Sequence, residues 1–212
     1  AGRPEGYKSE VFLSHLITTS RGRIEIQGRI DGMWSEAGEQ VLEEIKTLKR
    51  PWGGHADPLH WAQLKVYGAI VAREQKRERL ELQLLYHEIH SGRSIPLRQS
   101  HARAELEDFL DALAEEFSEW TSAQRSWVKQ RNESLEGALF PFAKLRPGQP
   151  EIMELAAATI QSGGRAFIEA PTGIGKTLSA LFPATRALAS GVINKVFYIT
   201  ANTSGRAIAE QA

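Results

Sequence analysis

The chain has 212 residues, enough for one or two domains that each bury a core. Lys plus Arg and Asp plus Glu balance at 26 each, so no global basic field marks a nucleic-acid partner, and any such surface must be local. There is no cysteine, which excludes a disulfide framework or a thiolate metal cluster within these residues and fits a reducing cytoplasm. The opening AGRPEGYKSE lacks the apolar core of a signal peptide, and no apolar run reaches membrane-spanning length.

From Glu10 the pattern is that of strands. VFLSHLITT is apolar and β-branched, SRGR turns the chain, and RIEIQGRID alternates. Ile24, Ile26, Gly28 and Ile30 fall on one face of that run, with Glu25, Gln27, Arg29 and Asp31 on the other. A loop rich in Gly, Ser and Glu then leads to VLEEIKTL, where Leu42, Glu44, Lys46 and Leu48 share a face. Asp57-Pro58 marks a helix start running to about Arg77, with Leu64, Tyr67, Ile70 and Val71 as its core stripe. The charged end of that helix, REQKRER, reads as a solvated terminus.

RLELQLLYHEI alternates again, burying Leu80, Leu82, Leu84 and Tyr86, and SIPLRQSH returns the chain after a turn. His87, Glu88 and His90 cannot chelate together, because His87 and Glu88 point to opposite faces of a strand. From about Ala102 to Asn132 apolar residues recur at helical spacing. Trp120 and Trp127 in this stretch suit a packing stripe better than base stacking.

NESLEGALFPFAKLRPGQP is a composition shift that places a domain boundary near Gly137, giving units 1–136 and 137–212. Pro150 opens a helix that Ser162-Gly163-Gly164 ends. An apolar strand, RAFIEA, then enters Pro171-Thr172-Gly173-Ile174-Gly175-Lys176-Thr177, and a helix runs to about Ala189 ahead of a strand KVFYIT. This strand–loop–helix is the context of a phosphate-binding loop. Gly173 and Gly175 bring backbone N–H groups near phosphate oxygens, Lys176 reaches the β- and γ-phosphates, and the Thr177 hydroxyl suits magnesium. Ala170 stands in the first glycine position of the strict pattern. ATP is the expected ligand. The lone β-α-β piece leaves sheet edges and helix faces uncovered, so the sequence reads as part of a longer protein.

In the first unit Glu44 and Lys46 lie two apart on a strand, and Asp31 ends the preceding one. Two carboxylates and an amine converging at a sheet edge can hold a divalent cation beside an attacking water. Gln63 and Tyr67, four apart, share a face of the following helix.

The order G-R-I-D, E-I-K, Q-x-x-x-Y in a β-β-α frame, across roughly Val11 to Val71, resembles the RecB-like PD-(D/E)xK nucleases. The resemblance implies an α/β restriction-endonuclease-like domain. Asp31, Glu44 and the carbonyl of Ile45 would then hold magnesium or manganese, Lys46 would orient or activate water, and Gln63 with Tyr67 would steady the site and DNA. It also implies a His or Glu from a helix ahead of the first strand, and no such helix is evident here; Glu25 or Gln27, or a residue upstream of this sequence, are the alternatives, and His15 reads as an ordinary strand residue.

The tail from about Phe140 resembles the amino-terminal part of XPD/DinG-type superfamily 2 DNA helicases, through FPFAKLRPGQPEIM, EAPTGIGKTLSALFPA and VFYITANTSGRAIAEQA. That resemblance implies the start of a RecA-like P-loop domain. Arg146 and Gln149 would be adenine-side residues, Thr172–Thr177 the ATP loop, and Thr200–Thr203 a contact to the DNA backbone. The acids of the second ATPase motif, an arginine finger and any iron–sulfur cysteines would lie beyond Ala212. Together the two resemblances imply a DNA helicase, acting on single-stranded DNA in processing or repair, with a fused nuclease. The rival expectation keeps the ATPase and makes the first unit a non-cutting DNA-binding or scaffolding module.

Overall fold

Alternation in the first half of the chain produces a five-stranded mixed sheet, seen in a computed structural model that describes residues 3–200 and 206–207. Strands β1 (Lys8–Thr19), β2 (Gly22–Glu36), β3 (Glu39–Leu48), β4 (Arg79–Glu88) and β5 (Ser94–Ala102) lie side by side in chain order. All neighbours are antiparallel except β3 and β4. That pair is parallel because helix α1 (Pro58–Gln75) carries the chain back between them.

Helices α2 (Arg103–Glu136), α3 (Gln149–Ser162) and α4 (Lys176–Ala189) follow. The described residues thus form a mixed α/β structure. None of their helices is long and apolar enough to cross a membrane.

Helix α1 begins where Asp57 accepts a hydrogen bond from the Leu59 N–H at 2.9 Å, and it ends at Lys76 in a left-handed conformation. Its apolar stripe, Leu64, Ile70 and Val71, packs with Ile30, Leu42, Leu80, Leu82 and Leu84 of the sheet and Leu106 and Leu110 of α2. Gly68 permits this closeness, since a Cβ there would sit 3.2 Å from both Leu82 and Leu106.

In the sheet, two features depart from the sequence reading. The expected loop after Asp31 is absent: β2 runs on through Met33 and Trp34, both buried, to Glu36. It turns at Ala37 and Gly38, whose φ values of 52° and 89° make a tight two-residue hairpin turn.

The second departure is a slip in the alternation. Ile30 and Met33 both join the same core cluster although they are an odd number of residues apart. The ladder of β1 and β2 skips Glu10 and Asp31, and Glu10 sits at φ 55°, a left-handed value uncommon outside glycine. One residue leaves the ladder on each strand and the register is the same on both sides, so this is a paired interruption rather than a one-residue bulge, and it resets which face each later residue meets.

The described chain divides into two compact units, Ala1–Ser122 and Ala123–Ala212, with the division falling inside α2, whereas composition places it near Gly137. In the second unit α3 and α4 form as the capping signals predict, with Gly163 left-handed at the end of α3. The expected strands RAFIEA and KVFYIT do not form among the described residues, where the one sheet lies in the first unit. Phe167, Phe197 and Ile199 are 99%, 83% and 92% exposed. A strand exists only with a neighbour to take its N–H and C=O groups, and these two segments pair with none.

Candidate functional site

β3 carries the first cluster, and it is the central strand of the sheet, not an edge as the sequence suggests. What creates an opening there is the parting of β2 from β3. Their ladder stops at Gly32 opposite Glu43, while β3 and β4 stay paired to Leu48 opposite Glu88. At the gap the Asp31 carboxylate replaces the missing backbone partner: its Oδ2 accepts the Ile45 N–H at 2.6 Å. Strict alternation would put Asp31 on the face away from Glu44; the interruption at Asp31 removes that constraint and brings the two charges together.

The side chain of Glu44 is only 5% exposed. Its Oε1 accepts from the Lys46 Nζ at 2.6 Å, and the same Nζ donates to the Gln63 Oε1 at 3.0 Å. The other oxygen, Oε2, is buried and has no hydrogen-bond partner among the described residues. Burial pushes the Glu44 pKa up, the Asp31 charge adds to the rise, and the Lys46 hydrogen bond opposes it. Lys46 is 25% exposed, and Asp31, Ile45 and Gln63 are likewise only partly buried, so Glu44 is the buried member of the cluster.

Tyr67, one turn beyond Gln63, packs on β2, where a Cβ at Gly28 would overlap its hydroxyl. The structure therefore gathers Asp31, Glu44, Ile45, Lys46 and Gln63, and sets Tyr67 beside them against Gly28. The alternatives for a further ligand lie elsewhere. Glu25 is held by Ser14 at 3.0 Å and Gln27 at 2.7 Å, and His15 faces Glu74 at 3.6 Å. Among the described residues no group of three or more His, Cys, Asp or Glu side chains is placed to hold a metal ion.

Sequence reasoning missed the support on the opposite side of β3. Glu43, one residue from Glu44, is buried and accepts from the Tyr7 hydroxyl at 2.9 Å and from Gln83 Nε2 at 2.5 Å. Tyr7 also lies 3.3 Å from the Asp31 carbonyl oxygen and stacks on Trp34 at 5.6 Å. Burial, then the Glu43 hydrogen bond and charge, push the Tyr7 pKa up to about 12. Gly32 is required here, because a Cβ would overlap the Tyr7 ring. The one advance signal was the glycine after Asp31, which nothing in the sequence linked to Tyr7.

In the second unit the Gly-rich loop is closed on itself. Gly173 and Gly175 adopt φ 84° and 91°, values that favour glycine. Lys176 Nζ donates to the Ala170 and Pro171 carbonyls at 2.7 and 2.9 Å. Gly175 caps α4 with no side-chain hydrogen bond, so the first-turn N–H groups of that helix are not taken by a capping side chain.

Arg146 donates to the Gly173 carbonyl, and Gln149, buried, accepts the Arg146 N–H at 2.8 Å and packs where a Cβ on Gly175 would lie. Ile174 packs against Gly148, 2.6 Å from the place of a Cβ there. Thr177 Oγ1 lies 3.1 Å from the Tyr198 hydroxyl, and Thr172 is exposed in the loop. Of the segment Thr200–Thr203, residues 201–203 lie outside the described residues.

No family model and no curated protein matches the chain. Among solved structures, a chain described as "Crystal structure of SSO0001" is similar at 19% identity over 49% of this chain and 46% of its own length, with a TM-score of 0.34. This chain thus spans less than half of that structure's length, and a likeness of that size assigns neither fold family nor activity.

Proposed function

We propose that the first unit is a metal-dependent deoxyribonuclease of PD-(D/E)xK type and that the second holds ATP for a DNA helicase of XPD/DinG type. The observation that carries the nuclease reading is the Lys46 ammonium held between Glu44 and Gln63, with Asp31 anchored at the parting of β2 and β3.

The residues fit a divalent cation. A buried carboxylate oxygen without a partner, next to a second carboxylate, is a costly arrangement that a cation relieves. Asp31, Glu44 and the Ile45 carbonyl would hold magnesium or manganese there. When bound, the cation supplies Lewis-acid polarisation of a phosphodiester. Lys46, fixed by two acceptors and open to solvent, orients the attacking water and balances charge building on the phosphate. Gln63 holds that amine at one height above the sheet, and Asp31 holds β3 at the gap.

For the nucleotide, the loop Thr172–Thr177 and the first turn of α4 offer backbone N–H groups to the phosphates, with Lys176 leaving its two carbonyls to meet them. Thr177 would hold magnesium. Arg146 and Gln149 brace Gly173 and Gly175 from behind and lie on the expected adenine side.

Calorimetric titration with manganese tests the first unit. Binding by the wild type and by Lys46→Ala, lost in Asp31→Ala, supports the reading; equal heats in wild type and Asp31→Ala overturn it. The observation favouring a non-cutting DNA-binding module is that the cluster has two carboxylates and, among the described residues, no third acidic or imidazole group. On that reading the titration shows no binding at all.

A further inference from the structure

Beyond Lys46 the chain builds a second feature that the nuclease reading does not use. The end of β3, the turn-rich segment 49–57 and the start of α1 enclose a cleft of about 480 Å³. Leu48 lines it two residues after Lys46 on the same face of β3, about 7 Å along the strand. His60 lines it one turn ahead of Gln63 on α1. The cleft therefore opens directly beside the Glu44–Lys46–Gln63 cluster.

Its walls combine two chemistries. Trp52 stacks on Tyr86 with ring centroids 6.3 Å apart, and both residues line the cleft. Tyr86 is fixed in turn, its hydroxyl 2.8 Å from His60 Nδ1 and accepting the Asp57 N–H at 3.1 Å. Trp52 is fixed through its backbone N–H, which donates to the buried Glu88 at 2.8 Å. Its indole Nε1 is buried and unpartnered among the described residues, a donor the folded chain does not use. Lys49 and Arg50, both exposed, supply positive charge at the rim. The N-terminus of α1 is already occupied by the Asp57 carboxylate, so anion binding falls to these two side chains.

A rigid aromatic platform beside two cations suits one nucleotide of a single strand, base on the ring and phosphate on the cations. We propose that this cleft is a nucleotide subsite, holding the residue next to the scissile phosphodiester of a single-stranded nucleic acid. That placement rests on the nuclease reading of the neighbouring cluster, whereas the subsite's affinity does not. Trp52, backed by the buried Tyr86, offers the stacking face, and Lys49 and Arg50 grip the flanking phosphate. Asp57 in the cleft wall repels a second phosphate and keeps the strand on the Lys49 side.

The test is fluorescence anisotropy of a short labelled oligothymidylate with the full 212-residue chain in chelator, across a salt series. Trp52→Ala should weaken binding about tenfold while Trp52→Phe stays near wild type, because stacking needs only an aromatic face. Lys49→Ala with Arg50→Ala should lower the slope of log affinity against log salt by about 0.7 for each phosphate that is no longer neutralised. If Trp52→Ala does not fold, shown by its melting curve, the salt slope of the doubly substituted chain decides alone.

Absence of binding by the wild type overturns the subsite, as do wild-type affinity and salt slope in these variants. Since the assay contains no metal, its failure stands apart from that of the nuclease reading. Cleavage in manganese alongside binding that ignores Trp52, Lys49 and Arg50 sinks the subsite alone; binding that follows them with no cleavage in manganese sinks the nuclease alone.

Discussion

Among single residues, the cluster is shaped by a carboxylate in an expensive place. Glu44 is buried with one oxygen unpartnered among the described residues, and its folded pKa lies above the ordinary 4.5. The native state then binds the proton more tightly than the unfolded chain, so this group's contribution to stability falls as pH rises from 4.5 through the folded value. Glu44→Gln removes that loss, and urea unfolding at neutral pH should show the variant more stable by about 1 kcal/mol, with a flatter pH profile between acid and neutral. A variant less stable than wild type at neutral pH would mean that the Lys46 ion pair outweighs burial.

On the other side of the strand, Tyr7→Phe removes the hydrogen bond to Glu43 and should cost about 1.5–3 kcal/mol in the same assay. The two carboxylates differ in how far the sequence revealed them. Glu44 and Lys46 were legible because a spacing of two on a strand fixes a shared face. Glu43 was not, since its partners Tyr7 and Gln83 come from 36 and 40 residues away, and nothing local announces them.

Among the elements, local chemistry marked the helices well and the strands unevenly. Asp57-Pro58 set the start of α1, and Gly163 and Gly191 fell where α3 and α4 stop, because caps are written within a few residues. Asp57→Ala should therefore destabilise the first unit by about 1 kcal/mol, read as a lower urea midpoint with unchanged slope. An unchanged midpoint would show that Pro58 and packing alone fix the start of α1.

The reach of β2 past Asp31 was hidden by its Gly, Ser and Glu content, although Met33 and Trp34 bury there. The slip at Asp31 was also illegible, because it needs Glu10 on the neighbouring strand to leave the ladder at the same level. RAFIEA and KVFYIT show the converse: apolar composition is only half of a strand, and the pairing partner is the other half.

In the molecule as a whole, the chain passes from the first unit to the second inside α2, and in the second unit the segment Pro141 to Pro147 after that helix is exposed throughout. Limited trypsin digestion should cut first after Lys144, since Pro147 shields Arg146 from cleavage. An earlier cut within β2 or β3 would contradict the division into units.

If Asp31, Glu44 and Lys46 act as one metal-dependent nuclease centre, ligand and catalyst have distinct jobs that kinetics can separate. The most direct measurement is manganese-dependent cleavage of an end-labelled single-stranded oligonucleotide by the wild type and by Lys46→Ala, at manganese concentrations that saturate both. The expected result is cleavage by the wild type and a loss of at least about a hundredfold in Lys46→Ala, in line with the loss of a positioned catalytic group. Equal cleavage by the two proteins, or no cleavage by a metal-saturated wild type, would contradict it.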